Sequence, residues 1–131
     1  MTVLDCSVVI DYLLGTGAAE EVEWILETEG PAAAPDLLVF EVLAVLRRDV
    51  RRGVMDAGRA SGAVEDLGDL WIDYFPTVAL RERAWELRGN LTAADAVYAA
   101  LAERLGEPLA TKDRGLASVA SRQLQIETVE L

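Results

Sequence analysis

The sequence predicts one α/β domain in which a mainly parallel central sheet is flanked by helices. Short apolar runs alternate with longer amphipathic segments along the chain, and this alternation is typical of strands joined by helices in a parallel sheet. The length of 131 residues suits a single domain, and no segment resembles a linker, so we expect residues 1–131 to fold as one unit. Hydrophobic residues make up 52% of the chain, which is enough for a sizeable core.

The first half of the chain is predicted to contain two strands and four helices. In order, these are a strand at 3–5, helices at 7–14 and 18–29, a strand at 32–34, and helices at 36–52 and 57–70. Pro31 and Pro35 bracket the second strand, so it is short. Asp36 is placed to cap the helix that follows, and Gly53 is placed to end it.

The second half repeats the alternation. We expect a strand at 72–78, helices at 80–88 and 92–105, a strand at 108–111, a helix at 116–120 and a strand at 126–129. Thr92 is a natural N-cap of the longest of these helices, and Gly106 is placed at its C-terminus.

Composition excludes several classes of function. Asp and Glu number 23 against 12 Lys and Arg, a net charge of −11, so the chain is not a simple polycation that coats nucleic acid. It contains no histidine, which excludes histidine-dependent triads and histidine-ligated zinc. The single cysteine, Cys6, excludes an internal disulfide, and we expect a buried thiol that points away from Asp5 on the strand. No apolar run approaches the roughly 18 residues of a membrane span and no basic leader begins the chain, so we expect a soluble cytoplasmic protein.

Asp5 and Glu41 are charged residues in otherwise apolar segments. Asp5 is the only charged residue in 1–10, and Glu41 is the only one in 37–46. An ionised carboxylate is rarely buried without compensation, because its desolvation costs several kcal/mol. The sequence therefore indicates that a cation compensates these two side chains.

Asp95 and Asp113 are weaker signals when taken singly. Asp95 is the only charged residue in 91–102, but an aspartate three residues after Thr92 also fits a capping box. Asp113 follows a predicted strand, between Lys112 and Arg114, where it could be a cap or a local ion-pair partner.

The topology brings the four carboxylates together. In a parallel α/β sheet the carboxyl ends of the strands and the first turns of the following helices converge on one crevice. Asp5 and Asp113 end strands, and Glu41 and Asp95 are placed in first helical turns. Like charges gathered in this way require a cation or a proton, and oxygen ligands without histidine or cysteine favour Mg²⁺ or Mn²⁺. Such a site can activate a water for attack on a phosphodiester, so the sequence predicts a metal-dependent nuclease.

Three stretches resemble PIN-domain ribonucleases, and more narrowly the VapC-type toxins of type II toxin-antitoxin pairs. They are Val-Leu-Asp-Cys-Ser-Val-Val-Ile-Asp at 3–11, Pro-Asp-Leu-Leu-Val-Phe-Glu-Val-Leu-Ala-Val-Leu-Arg-Arg at 35–48, and 91–117 with Leu-Thr-Ala-Ala-Asp-Ala-Val-Tyr and Thr-Lys-Asp-Arg-Gly. The resemblance spans the whole chain and implies a PIN-like three-layer sandwich.

The resemblance also implies the roles of individual residues. By it, Asp5, Glu41, Asp95 and Asp113 would be catalytic and metal-binding acids, with Ser7 and Thr111 as polar neighbours of the site. It further implies a Mg²⁺ or Mn²⁺ cofactor, an RNA substrate, a VapB-type antitoxin that inhibits the nuclease, and a homodimer.

A cluster of arginines interrupts the acidic chain at the end of the Glu41 helix. It comprises Arg47, Arg48, Arg51 and Arg52. The cluster could contact RNA, meet carboxylates of the antitoxin, or simply suit a helix C-terminus.

Two other functions remain open from the residues. One is a Mg²⁺-dependent phosphatase or phosphoryl-transfer domain of similar architecture, in which Asp5 would accept phosphate or bind the ion. A phosphatase of the haloacid-dehalogenase type would have a second aspartate where this chain has Ser7. The other is a catalytically inactive PIN-like binding module whose acids serve as caps and in salt bridges.

Overall fold

The computed structural model describes residues 1–131, apart from the side chain of Glu130. Its strands are β1 (Val3–Leu4), β2 (Ala32–Pro35), β3 (Ile72–Phe75), β4 (Leu109–Thr111) and β5 (Thr128–Glu130). They form one sheet in the order β3-β2-β1-β4-β5, and every neighbouring pair is parallel. The predicted parallel sheet is confirmed.

Seven α-helices cover this sheet. They are α1 (Cys6–Leu14), α2 (Ala19–Glu29), α3 (Leu37–Arg51), α4 (Ala57–Asp69), α5 (Arg81–Glu86), α6 (Ala93–Leu105) and α7 (Arg114–Gln123). From β1 at the centre of the sheet, the chain passes to β2 and then to β3 at one edge. It then crosses back to β4, on the other side of β1, and continues to β5 at the opposite edge. Because parallel crossovers are right-handed, this reversal places α1 to α4 on one face of the sheet and α5 to α7 on the other. The result is a three-layer sandwich.

The central strands are buried on both faces, which explains their apolar composition. Val3, Leu4, Ala33, Leu109 and Ala110 are fully buried. The small alanines of β2 allow helices to approach closely, and larger side chains from the helices, including Leu38 and Leu101, complete the core. Among the helices that the structure describes, none is long and apolar enough to cross a membrane.

Several predicted boundaries differ from the structure. The strand predicted at 72–78 ends at Phe75, because a 3₁₀ helix follows at Thr77–Leu80. The last helix spans Arg114–Gln123 rather than 116–120, and the final strand begins at Thr128 rather than at 126.

The predicted capping of α3 by Asp36 is wrong in its detail. Asp36 occupies the N-cap position, but its side chain makes no capping hydrogen bond. Its Oδ1 instead accepts hydrogen bonds from the amide of Thr77 at 2.9 Å and the hydroxyl of Thr77 at 2.6 Å. The same Thr77 hydroxyl accepts a hydrogen bond from the amide of Leu37 at 3.3 Å, so the cap of α3 is supplied by the first residue of the 3₁₀ helix.

The point where the strand order reverses lies between β1 and β4. Ligand sites in open parallel sheets lie at the carboxyl ends of strands beside such a switch point. Asp5 follows β1 directly, and its amide donates to the carbonyl of Ala110 in β4 at 3.2 Å. Thr111 ends β4 on the neighbouring strand, so the topology places these two side chains at the switch point.

Candidate active site

Asp5 is the buried centre of the site. Only 5% of it is exposed, and as the N-cap of α1 it accepts a hydrogen bond from the amide of Val8 at 3.3 Å. The Ser7 hydroxyl donates to Oδ1 at 2.6 Å, and the Thr111 hydroxyl donates to Oδ2. Burial raises the pKa of Asp5 above its ordinary value of 3.8, although these hydrogen bonds oppose the shift. The predicted neighbours Ser7 and Thr111 thus contact Asp5 directly.

Glu41 lies half-buried one turn into α3, rather than in the first turn as the sequence predicts. The hydroxyl of Tyr98, on α6, donates a hydrogen bond to its Oε1 at 2.6 Å. Burial raises the pKa of Glu41, and the charges of Asp5 and Asp95 add to the increase. This contact joins the two helical layers across the carboxyl edge of the sheet.

Asp95 and Asp113 complete the group on the side of α6 and α7. Thr92 caps α6 by accepting a hydrogen bond from the amide of Asp95 at 3.2 Å, which confirms the predicted cap. Burial raises the pKa of Asp95, and the charges of Asp113 and Asp5 raise it further. Asp113 is exposed and caps α7 by accepting from the amide of Leu116 at 3.0 Å. It forms no ion pair with a described cation, so the predicted local pairing with its neighbours is wrong.

The four acids are electrostatically coupled. Asp5 influences both Glu41 and Asp95, and Asp95 is also influenced by Asp113. Among the described side chains, no lysine or arginine is within salt-bridge distance of any of them. Their hydrogen-bond donors are uncharged hydroxyl and amide groups. The site is a region of uncompensated negative charge.

The donor set fits a hard divalent cation in its chemistry. All four side chains offer carboxylate oxygens, which Mg²⁺ and Mn²⁺ prefer. Among the residues that the structure describes, no three acidic or thiol side chains are close enough together to enclose an ion. Mg²⁺ usually keeps several waters and is held by only one or two carboxylates, so a closed set of protein ligands is not required.

Cys6 departs from its predicted position. It begins α1 rather than continuing the strand, and it is only partly buried. Burial raises the pKa of its thiol to about 12, and the charges of Glu41 and Asp5 contribute to this increase. The predicted position of Cys6 on the strand is therefore wrong.

The arginines of the cluster have different neighbours. The charge of Arg48 lowers the pKa of Cys6, and Arg48 also pairs with Asp49 at 3.1 Å. Arg47 and Arg51 line a groove between α3 and α4. Arg51 and Arg52 follow Arg48 by three and four positions, so both lie next to it on the surface of the helix.

Comparison with known proteins identifies the family. The PIN domain family model matches residues 2–122. VapC ribonuclease Mb0985 of Mycobacterium bovis is 35% identical over 129 residues, which cover 98% of each chain. Ribonuclease VapC1 of Mycobacterium tuberculosis is 38% identical over 128 residues, covering 97% of this chain and 96% of the relative. This chain belongs to the PIN-domain family, among its VapC proteins.

Solved structures agree with this membership of the PIN-domain family. The crystal structure of PAE2754 from Pyrobaculum aerophilum has a TM-score of 0.67 and 29% identity, and the match covers 89% of this chain and 84% of that one. VapBC2 from Rickettsia felis, solved bound to a DNA fragment from its promoter, has a TM-score of 0.63 at 8% identity, with coverage of 98% and 97%. At that identity the likeness concerns the fold alone.

Two features of this PIN domain escape sequence reasoning. Tyr98 is 2% exposed and reads as an ordinary core residue, yet its hydroxyl holds Glu41. Asp11 is 8% exposed and forms a 2.7 Å ion pair with Lys112, which lies beside Thr111. The placement of Asp11 in the apolar run that follows Asp5 is a signal that could have identified it, whereas nothing in the sequence marks the Tyr98 hydroxyl.

Proposed function

We propose that this chain is a metal-dependent endoribonuclease toxin that cleaves RNA phosphodiesters through a carboxylate-bound Mg²⁺ or Mn²⁺ site. The observation that carries the proposal is that Asp5, Glu41, Asp95 and Asp113 are electrostatically coupled at the topological switch point, and that no described lysine or arginine forms a salt bridge with any of them. The relatives named as VapC ribonucleases, similar over nearly their whole length, support RNA as the substrate.

The residues of the site have separate tasks in this proposal. Ser7 and Thr111 fix both oxygens of Asp5, so this carboxylate has one orientation. Tyr98 engages one oxygen of Glu41 and leaves the other for a further partner. The ion, when bound, supplies the positive charge that acidifies a water and neutralises charge developing on the phosphate. Burial and neighbouring carboxylates raise the pKa values of Glu41 and Asp95, and the positive charge of a bound ion would offset both effects.

We extend the proposal to two further properties of this chain. A VapB-type antitoxin inhibits it, and it assembles as a homodimer. The similarity of this chain to VapC ribonucleases over nearly their whole length is the basis for proposing a VapB-type antitoxin as the partner. Large apolar side chains on the surface also favour a protein partner, since Phe40 and Trp85 are each 68% exposed. Co-expression with the neighbouring reading frame tests this extension, and we expect a stable complex in which RNA cleavage is suppressed.

The test of the nuclease uses a 5′-labelled RNA and the purified chain. We expect cleavage with Mg²⁺ or Mn²⁺, none with excess chelator, and recovery when the ion is restored. Asp5→Asn, Glu41→Gln and Asp95→Asn should each reduce turnover by at least about 100-fold, since each removes a charge that holds the ion. Circular dichroism should show an unchanged fold.

Glu23→Gln, on the exposed surface of α2, is the matched control and should retain wild-type turnover. Cleavage that persists in chelator would exclude the mechanism. Hydrolysis of p-nitrophenyl phosphate without cleavage of RNA would favour the phosphatase alternative instead.

A further inference from the structure

A polar groove of about 170 Å³ lies along α7. Two arginines, three residues with hydroxyl groups and one alanine line it, and no carboxylate is among the described residues that do so. Positions 114, 118, 121 and 122 fall within an arc of about 100° on a helix of 3.6 residues per turn. Four of the lining residues therefore form one polar stripe on the surface of α7, which we call the α7 stripe: Arg114, Ser118, Ser121 and Arg122.

The charge of the α7 stripe is opposite to that of the chain, whose net charge is −11. Arg114 and Arg122 are both exposed, and neither is within salt-bridge distance of a described carboxylate. Arginine presents several N–H donors in a planar fork that matches the oxygens of a phosphate group. Since no described carboxylate competes for them, the two guanidinium groups can bind an anion from outside the chain.

The α7 stripe begins beside the acids of the candidate active site. Asp113 is the N-cap of α7, and Arg114 is the first residue of that helix. From Arg114 the stripe continues to Arg122, which is about 12 Å further along the helix at 1.5 Å per residue. A stacked nucleic-acid strand advances about 3.4 Å per nucleotide, so the stripe is about as long as three or four nucleotides. A strand with one phosphate at the acids can therefore extend along α7.

The lining of the groove favours a phosphate backbone over a protein segment. Arginine and small hydroxyl side chains are typical partners of nucleic-acid phosphates. Bound protein segments instead depend on large apolar and aromatic side chains that become buried, and Ala117 is the only apolar residue among the described residues of the lining. The described lining also offers no aromatic ring on which a base could stack. The chemistry therefore indicates contact with phosphates rather than with bases.

We propose that the α7 stripe binds the phosphate backbone of the RNA on one side of the cleavage position, an inference that rests on the ribonuclease activity proposed above. Arg114 and Arg122 pair with phosphates, and the hydroxyl groups of Ser118 and Ser121 donate hydrogen bonds to phosphate oxygens. The stripe holds the strand near the acids in a chain whose net charge repels RNA, and it does not distinguish one base from another.

The test is the steady-state cleavage of a 5′-labelled single-stranded RNA by the wild type and by Arg114→Gln/Arg122→Gln. KM and kcat are measured at several salt concentrations with the concentration of Mg²⁺ or Mn²⁺ held constant. Glutamine keeps a polar side chain at both positions and removes both charges. Thermal unfolding shows that each variant is folded.

The matched control is Arg81→Gln/Arg104→Gln, which makes the same change in net charge far from α7. The guanidinium groups of Arg81 and Arg104 donate hydrogen bonds to the carbonyls of Val78 and Ala79. Arg104 is also about two and a half turns after Asp95 on α6, so it lies at the end of that helix away from the acids.

We expect Arg114→Gln/Arg122→Gln to raise KM by about tenfold and to change kcat by less than about threefold. The slope of log KM against log salt concentration should become shallower by about 1.4, because each phosphate contact with a single strand contributes about 0.7. The increase in KM should be the same for two RNAs of different sequence, because phosphates carry no sequence information. The control should keep KM within about twofold of the wild type.

Other outcomes overturn the inference in distinguishable ways. If KM and its salt dependence are unchanged in Arg114→Gln/Arg122→Gln, RNA does not contact α7, and the nuclease stands. Equal increases in KM for the two double variants would show that net charge, rather than the α7 stripe, sets the affinity for RNA. A loss of kcat with unchanged KM would place the effect on the chemistry at the acids.

Two further results concern the occupant of the groove and the function itself. Weaker binding of a protein that co-purifies with the chain, with KM for RNA unchanged, would assign the α7 stripe to a protein partner. If the wild type cleaves no RNA with either ion, the proposed function and this inference fail together.

Discussion

Two buried aspartates, one at the N-terminus of α1 and one within it, have opposite electrostatic surroundings. Asp5, at the start of α1, is 5% exposed, and Asp11, within α1, is 8% exposed. Burial raises the pKa of Asp5, and hydroxyl and amide donors do not reverse the shift. Burial acts in the same direction on Asp11, but the Ala18 amide, the Lys112 ammonium and the Thr16 hydroxyl together hold its pKa below 3.8.

The difference separates a carboxylate whose charge is compensated within the protein from one whose charge is not. The charge of Asp11 is satisfied by a 2.9 Å hydrogen bond from Ala18 and a 2.7 Å ion pair with Lys112. Asp5 has no cationic partner among the described residues, and its charge raises the pKa values of two further acids. Burial without compensation, rather than burial alone, is what makes Asp5 a candidate site residue.

The largest expected effect on stability comes from Asp11. Asp11→Asn removes the charge that Lys112 meets, and we expect the free energy of unfolding at neutral pH to fall by about 1–3 kcal/mol. Asp5→Asn is the matched change, and it should leave stability equal or raise it, because the neutral amide is cheaper to bury. Urea denaturation measures both. Equal losses in the two variants would show that the two carboxylates are alike.

A smaller effect is expected from the hydroxyl that holds Glu41. Tyr98→Phe removes the 2.6 Å hydrogen bond to Glu41 and should reduce stability by about 1 kcal/mol. The same change should lower RNA turnover, because Glu41 loses its fixed orientation. Tyr74→Phe, at a side chain that is 40% exposed on β3, is the control and should alter neither quantity. Wild-type turnover in Tyr98→Phe would show that this hydroxyl only fills the core.

The smallest effect is a difference in how stability depends on pH. Since the pKa of Asp5 is raised in the folded state, the folded protein binds this proton more tightly than the unfolded chain does. Its contribution to stability therefore falls as pH rises from 3.8 through the raised pKa. Asp11, whose pKa is lowered, contributes stability that is present above 3.8 and is lost as pH falls through its folded pKa.

Denaturation of both variants at a series of pH values tests this difference. The stability of Asp5→Asn relative to the wild type should increase as pH rises above 3.8. The deficit of Asp11→Asn should shrink as the solution is made more acidic than that value. If the free energy of unfolding of each variant changes with pH in parallel with that of the wild type, the directions of the pKa shifts assigned to Asp5 and Asp11 are wrong.

The sequence is sufficient to predict the sheet and most helices, because each rests on local pattern plus general topology. Asp5 and Glu41 stood out as lone charges in apolar runs. Asp11 occurs in the same kind of context, but the cation that compensates it is 101 positions away. The sequence does not reveal this ion pair, because it forms only where α1 packs against the turn between β4 and α7.

Other features depend on contacts that no local pattern reports. The capping of α3 through Thr77 joins residues about 40 positions apart. Arg47 and Arg51 line a groove only because α4 lies beside α3. Helical periodicity alone does not say which face a second helix will cover.

The most direct test of the central claim is the binding of Mn²⁺ by the purified chain, followed by electron paramagnetic resonance. If uncompensated burial makes Asp5 part of a cation site, the wild type should bind Mn²⁺, Asp5→Asn should weaken this binding by at least about tenfold, and Asp11→Asn should bind as the wild type does. Equal Mn²⁺ affinity in the wild type and Asp5→Asn, or no binding by the wild type at millimolar Mn²⁺, would contradict the account.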